Sequence, residues 1–215
     1  MTVSAAIKLI IVDDHAVVRE GLKQIIGSTE DICIVGEAEN GLDAIKLSRQ
    51  LDYHIMMLDI SLPDKNGIDI LKQIKKESPQ VSVLMFSIHR EDQYAIRAHK
   101  SGASGYLNKQ ARATEILQAI RQIASGLKYI SPELAQELAN NLNQEHEGEL
   151  HKTLSDREYQ TLTMIASGKT VSDIAKELSL SVKTISEYRA RLLLKMKLRH
   201  NAELTHYAIK NQLVE

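Results

Sequence analysis

The sequence predicts an α/β chain: a doubly wound sheet of five parallel strands followed by a small all-α helix-turn-helix domain. Three observations carry this reading. Short β-rich runs alternate with helical stripes through Leu127, polar residues with metal- and phosphate-binding chemistry stand at the ends of those runs, and beyond Leu154 only helical patterns with helix caps remain.

The strand candidates are Lys8–Val12, Ile32–Ala38, Ile55–Leu58, Val81–Phe86 and Gly105–Leu107. Several are nearly continuous in apolar residues, as expected of strands covered on both faces. Between them Val18, Leu22 and Ile25 form one helical stripe, Ala44, Leu47 and Leu51 a second, and Ile116, Ile120 and Ile123 a third. Such alternation builds βαβ units, and ligands of these sheets bind beyond the carboxyl ends of the strands.

The 215 residues are 43% hydrophobic and 26% charged, a globular composition with room for two small domains. No apolar run is long enough to span a bilayer. The stretch Ile7–Val12 has no basic segment before it and ends in Asp13-Asp14, unlike a secretory leader. The one cysteine, Cys33, forms no internal disulfide and reads as a strand filler, so a cytoplasmic location is expected. The net charge of −1 hides an asymmetry: residues 151–215 hold 11 basic and 7 acidic side chains, a balance of +4, which leaves −5 on the rest. An acidic front and a basic back suit a metal-binding or regulatory module joined to a polyanion-binding one.

Asp13 and Asp14 follow the first strand, Asp59 the third, Ser87 ends the fourth, and Lys109 lies just past the fifth. Each alone has a plain structural explanation: acids suit a helix N-terminus, Asp59 precedes a turn, Ser87 can cap a loop and Lys109 can face water. Five such groups at the exits of four strands, on one edge of one sheet, are not explained that way. Three converging carboxylates need a cation, and Mg²⁺ takes hard oxygen ligands while leaving room for phosphate. A carboxylate is also a nucleophile toward phosphoryl groups, whose transfer is mainly a task of positioning and charge.

The runs Ile-Val-Asp-Asp-His (11–15), Met-Leu-Asp-Ile-Ser-Leu-Pro-Asp-Lys-Asn-Gly (57–67), Phe-Ser (86–87) and Gly-Tyr-Leu-Asn-Lys (105–109) resemble the flavodoxin-like receiver domain of two-component response regulators, over residues 7–127. The resemblance implies that Asp59 is the phosphoacceptor. It also implies that Asp13, Asp14, Asp59 and the backbone carbonyl of Ser61 surround Mg²⁺, and that Lys109 bridges to the phosphoryl group. Ser87 and Tyr106 would be the switch pair, the ring of Tyr106 moving inward on activation. Leu62 and Ser87 are ordinary variants of the family pattern.

Residues 128–152 read as a linker. Ser131-Pro132-Glu133 is a helix start, with Leu134–Leu142 as a short helix, and 143–152 is a polar tether in which His146 and His151 are solvated.

The second domain, 153–215, opens on Ser155-Asp156-Arg157-Glu158, a capping box, with Leu162, Ile165 and Ala166 facing inward. Thr170 starts a second helix with Ile174, Ala175 and Leu178 as its apolar face. After the turn at Ser179-Leu180, Ser181 caps a third helix carrying Ile185, Leu192, Leu193 and Met196 inward. Two short helices, a tight turn and a longer third helix describe a helix-turn-helix. The third helix offers Arg189 and Lys195, followed by Lys197 and Arg199, and basic side chains suit phosphates and guanine edges. The runs at 154–158, 165–169, 174–178 and 181–192 resemble the LuxR-type helix-turn-helix over residues 150–213. Together the two domains are similar to response regulators of the NarL/FixJ class. That resemblance places Lys183, Thr184, Ser186, Glu187, Ala190 and Arg191 at the DNA surface. Glu187 is an exception among bases, explained by a cytosine contact or by pairing with Arg191 at i, i+4.

The implied partners are a sensor histidine kinase, double-stranded DNA and a second copy of the chain once phosphorylated, with no membrane. The Glu91–Ser101 segment and the first and fifth helices are candidate dimer faces. A phosphohydrolase with an Asp nucleophile is the enzyme alternative, but such enzymes of the haloacid-dehalogenase type carry a second Asp two residues on, where this chain has Ser61. A regulator working without phosphorylation is disfavoured by the complete acidic set.

Overall fold

The apolar runs pair as five parallel strands, β1 (Ile7–Val12), β2 (Ile32–Ala38), β3 (Ile55–Leu58), β4 (Ser82–Ser87) and β5 (Gly105–Asn108), in the order β2-β1-β3-β4-β5. In this computed structural model residues 6–88, 91–132, 134–136, 150–211 and 213–214 are described. The chain divides into two compact units, Met1–Leu142 and Asn143–Glu215.

Helices α1 (Ala16–Gly27), α2 (Gly41–Gln50), α3 (Gly67–Glu77), α4 (Glu91–Lys100) and α5 (Ala113–Ala124) make the crossovers. Leu22 and Ile26 of α1 and Ile116, Ile120 and Ile123 of α5 pack on one sheet face, against Leu9, Ile11, Ile55, Met57, Leu84 and Phe86. The alternate residues Ile10, Met56, Val83 and Met85 are also fully buried, as a sheet covered on both sides requires. β1 is the first strand laid down, and its two neighbours are reached by crossovers running in opposite directions. The exits of β1 and β3 therefore border the crevice where such sheets place their chemistry.

The linker reading is corrected at both ends. Tyr129 belongs to the core of the first unit, donates its N–H to the Ser104 carbonyl at 2.8 Å and extends the sheet beside Gly105. Ser131 does cap the expected helical turn, accepting from the Leu134 N–H at 3.1 Å, and Leu134 is buried. The remainder of the expected helix, from 137, and the tether through 149 lie outside the described residues. At the far end the 3-10 turn Leu150–Thr153 joins the second unit, and His151, expected in solvent, is only 1% exposed. Its Nδ1 lies 2.9 Å from the Tyr207 hydroxyl, and its ring lies against Tyr159 and Tyr207. Aromatic burial outweighs the polar character of the surrounding sequence.

In the second unit α6 (Asp156–Ala166), α7 (Val171–Glu177), α8 (Val182–Met196) and α9 (Asn201–Lys210) follow one another. Ser155 and Glu158 form the expected capping box, Thr170 and Asp173 form another, and Ser181 accepts from Thr184 N–H at 3.0 Å to start α8. Ser179 takes the turn between α7 and α8 with φ 50°, in the left-handed region. The helix α9 was not expected. Its inward stripe is only Leu204 and Ala208, too short to register as a period, yet it packs on α6.

Candidate functional site

At the crevice edge Asp59 donates its N–H to the Val12 carbonyl at 2.9 Å, and Asp13 donates its own to Ala38 at 3.1 Å. These ladder bonds carry the pairing one step past the strands and bring the exits of β2, β1 and β3 together. Asp13 and Asp59 are almost wholly buried, Asp14 exposed. Carboxylate oxygens of Asp13, Asp14 and Asp59 and a ring nitrogen of His15 all lie within 4.8 Å of one another. Lys109 Nζ reaches between them. It makes a directed hydrogen bond to Asp59 Oδ2 at 2.8 Å and a charge contact with Asp13 Oδ2 at 2.6 Å. Burial lowers the pKa of Lys109, but Asp59 and Asp13 outweigh it, so the ammonium titrates above the ordinary lysine value.

Three carboxylates and one ammonium leave two negative charges at the crevice, with Asp13, Asp59 and Lys109 withdrawn from water and Asp14 at its mouth. A divalent cation with oxygen preference matches both that charge and that donor set. The geometry thus fits Mg²⁺, with Asp13, Asp14 and Asp59 as the carboxylate donors.

The β3–α3 loop is shaped around Asp59. The Ser61 N–H lies 3.3 Å from Asp59 Oδ1, Ser61 and Asn66 form an antiparallel bridge, and Asn66 caps α3 through the Ile68 N–H at 2.8 Å. Gly67 crosses so close that a Cβ there would meet the Asp59 carbonyl oxygen at 2.1 Å, so no other residue fits without moving the backbone. Ser87 is fully buried at the end of β4, its carbonyl accepting from the Lys109 N–H at 2.8 Å. Tyr106 stands beside Met85 in β5 and is 1% exposed. The ring of Tyr106 is inside the fold in this structure. Burying a side chain of this size is favourable by roughly 1.5–3 kcal/mol, which holds it inside.

Sequence reasoning missed two groups here. His15 closes on both acids, with Nδ1 at 2.7 Å from Asp14 Oδ1 and 3.2 Å from Asp13 Oδ1. Arg19, on the first turn of α1, hydrogen-bonds the Asp13 carbonyl. A charged residue amid an apolar helix stripe was the available signal for the second.

In the second unit, α8 buries Ile185, Leu192, Leu193 and Met196 and turns Lys183, Ser186, Glu187, Ala190 and Arg191 outward, with Thr184 half-buried. Arg191 lies 3.5 Å from Glu187, the i, i+4 pair foreseen above, and 5.4 Å over the Tyr188 ring. Arg189 Nε donates to Asn201 Oδ1 at 2.5 Å, fastening α8 to the start of α9. Lys195 is exposed, and its Nζ lies 2.7 Å from Oε2 of the buried Glu158. Lys197 adopts φ 54° as the C-cap of α8, and Arg199 follows exposed. Among the described residues no carboxylate pairs with Lys183, Lys197 or Arg199, which leaves an uncompensated basic rim around the outward face.

A five-stranded parallel sheet with an acidic pocket and lysine at its switch point, in a chain that also holds a helix-turn-helix, is the build of a receiver-type regulator. The chain belongs to the response regulators of the NarL/FixJ family. Residues 9–121 match the response regulator receiver domain, and residues 152–208 match the LuxR family of bacterial regulatory proteins. The chain is 35% identical over 208 residues to the response regulator UvrY of Escherichia coli K12, covering 96% of this chain and 95% of that one. It is 35% identical over 211 residues to the response regulator GacA of Pseudomonas aeruginosa, covering 97% and 98%. Among solved structures, Salmonella typhimurium RcsB matches with a TM-score of 0.69 at 26% identity, covering 95% of this chain and 97% of that one. An RcsB–DNA complex matches with a TM-score of 0.60 at 26% identity, covering 94% and 97%. No helix among the described residues is long and apolar enough to cross a membrane.

Proposed function

We propose that this chain is a DNA-binding transcription regulator switched by Mg²⁺-dependent phosphorylation of Asp59 by a partner histidine kinase. The receiver takes in 7–127 together with Tyr129 and Leu134, and the DNA-binding domain takes in 153–215 together with the turn Leu150–Thr153. The single observation that carries the reading is the joining of Asp13, Asp14, Asp59 and Lys109 at the exits of β1, β3 and β5. A carboxylate oxygen of Asp59 attacks the phosphorus, the bond to the donor's imidazole nitrogen breaks, and an acyl phosphate forms. Asp13, Asp14, Asp59 and the Ser61 carbonyl would hold Mg²⁺, which would supply positive charge for the phosphoryl oxygens. Lys109 releases Asp59 Oδ2 and turns its ammonium to the transferred group. Ser87, buried at the end of β4, donates its hydroxyl to the same group, and that bond couples the chemistry to the face carrying β5.

The DNA reading rests on the outward face of α8. Lys183, Thr184, Ser186, Glu187, Ala190 and Arg191 face the major groove, and Lys197 and Arg199 contact phosphate. RcsB has been solved bound to DNA, including with a phosphomimetic beryllofluoride, and as two dimers on parallel DNAs. By that likeness two copies of this chain bind a pseudo-palindromic or directly repeated site. Arg189 and Lys195 of the same helix, which pair with Asn201 and Glu158, stay among the candidate DNA contacts, the Lys195 side chain being 43% exposed. Incubation with acetyl phosphate tests the chemistry. Intact-mass spectrometry should show one phosphoryl adduct that requires Mg²⁺ and is missing in Asp59→Asn. An adduct that persists in the variant overturns the assignment.

A further inference from the structure

Arg19 is 9% exposed, a depth at which an arginine is rare unless paired. Its Nη1 donates to the backbone carbonyl of Asp13 at 2.7 Å. Its Nη2 donates to Glu39 Oε1, and its Nε lies 3.6 Å from Glu37 Oε2. Glu37 is held in turn by Lys23 at 3.0 Å. One guanidinium therefore ties together the first turn of α1, the exit of β1 and the exit of β2.

The bond to Asp13 is the informative one. That carbonyl belongs to the planar peptide unit joining Asp13 to Asp14. The N–H of Asp13 is already fixed by the Ala38 carbonyl at 3.1 Å. With Arg19 on the carbonyl, the backbone is clamped on both sides of the Asp13 Cα, and the plane from which the Asp14 side chain departs is set. We infer that Arg19 is a positioning residue for the cation-binding pair Asp13 and Asp14, acting through the peptide bond between them. This deepens the function proposed above and rests on its claim that the acidic set holds a divalent cation.

Groups that orient metal ligands without touching the metal are worth about 10–100-fold in affinity. A plain strut between α1 and β2 would instead change stability alone. Charge separates the possibilities further. Removing a cation from the neighbourhood of the pocket strengthens its attraction for Mg²⁺ by Coulomb's law, whereas loss of positioning weakens binding. The two effects have opposite signs. Lysine keeps the charge but lacks the planar fork, so one ammonium cannot span the carbonyl and the two carboxylates that separate nitrogens of the guanidinium meet.

The test is Mn²⁺ binding to the full chain by electron paramagnetic resonance, with Mg²⁺ measured by competition. The proteins are the parent, Asp13→Asn, Arg19→Gln and Arg19→Lys, with urea midpoints recorded beside each. Positioning predicts that folded Arg19→Gln and Arg19→Lys both bind Mg²⁺ roughly tenfold more weakly than the parent. Unchanged or tighter binding in both, with the parent binding and Asp13→Asn not, overturns the inference and leaves the proposed function standing. Failure of the parent itself to bind Mg²⁺ removes both. Should Arg19→Gln not fold, Arg19→Lys, with its charge and aliphatic stem retained, decides by the same criterion.

Discussion

At the scale of single residues, the proposed function divides the pocket between one nucleophile and its supports. Asp59 and Asp13 are equally buried and share the same lysine, so burial does not distinguish them. Their neighbours do. Asp59 heads a loop folded tightly around its carbonyl by Gly67, while Asp13 is packed between Lys109, His15 and the Arg19 clamp. Asp59→Ala should abolish phosphoryl uptake outright, because only its oxygen forms the new bond. Asp13→Ala should retain uptake at a lower rate and require more Mg²⁺. Phosphorylation time courses at several Mg²⁺ concentrations measure both, and an Asp13→Ala variant indistinguishable from the parent would remove it from the cation site. Ser87 has a different role. Ser87→Ala should still take phosphate on Asp59, but with reduced enhancement of DNA binding. Equal enhancement in variant and parent rules out coupling through its hydroxyl.

At the scale of elements, the recognition helix is held from behind by groups that composition alone counted as surface charge. Lys195 and Glu158 pin the C-terminal half of α8 to the start of α6, and Glu158 also closes the capping box by accepting the Ser155 N–H at 2.8 Å. Burial raises the pKa of Glu158, but Lys195 and Ser155 outweigh it, so the carboxyl titrates below the ordinary glutamate value. A group whose pKa is depressed by folding stabilises the folded state above its unfolded pKa and loses that contribution as pH falls through its folded value. Lys195→Ala should therefore destabilise this unit at neutral pH by about 1–2 kcal/mol, discounted because the lysine is half in water. It should also shift the acid limb of the unfolding curve to higher pH. Denaturant unfolding of parent and variant between pH 3 and 7 checks this, and coincident acid limbs would contradict it. On the outer face Arg199→Ala should weaken binding to every duplex and lower the salt slope by about one. Replacing Ser186, Ala190 or Arg191 should instead change sequence preference by roughly 1–3 kcal/mol where a base contact is lost. Titrations of specific and scrambled duplexes at several salt concentrations separate the two effects.

Much of this architecture is legible in the residues, and the exceptions share a cause. Strands β1 to β5 announce themselves because central parallel strands are continuous apolar runs, and their exits follow from the first polar residue after each run. The capping box at Ser155 and the cap at Ser181 are local chemistry with a fixed spacing. What stays hidden depends on partners distant in sequence. The ion pair of Lys195 needs Glu158, 37 residues earlier, which no local pattern brings beside it. His151 sits in a polar stretch until Tyr207, 56 residues later, provides its pocket. Helix α9 has too few apolar residues to show a period, and its burial comes from α6 rather than from its own pattern.

At the scale of the whole molecule, the proposed function requires that covalent chemistry on one side chain shift the population of DNA-binding-competent chains. Moving a two-state equilibrium from 1:99 to 99:1 takes about 5.5 kcal/mol. Charge-assisted hydrogen bonds from Ser87 and Lys109 to a phosphoryl group are of the right order to provide it. The most direct test measures affinity of the full chain for its DNA before and after acetyl phosphate with Mg²⁺, in the parent and in Asp59→Asn. The account predicts tighter binding after treatment of the parent and no change in the variant. Equal tightening in both, or none in a parent shown by mass to be phosphorylated, would contradict it.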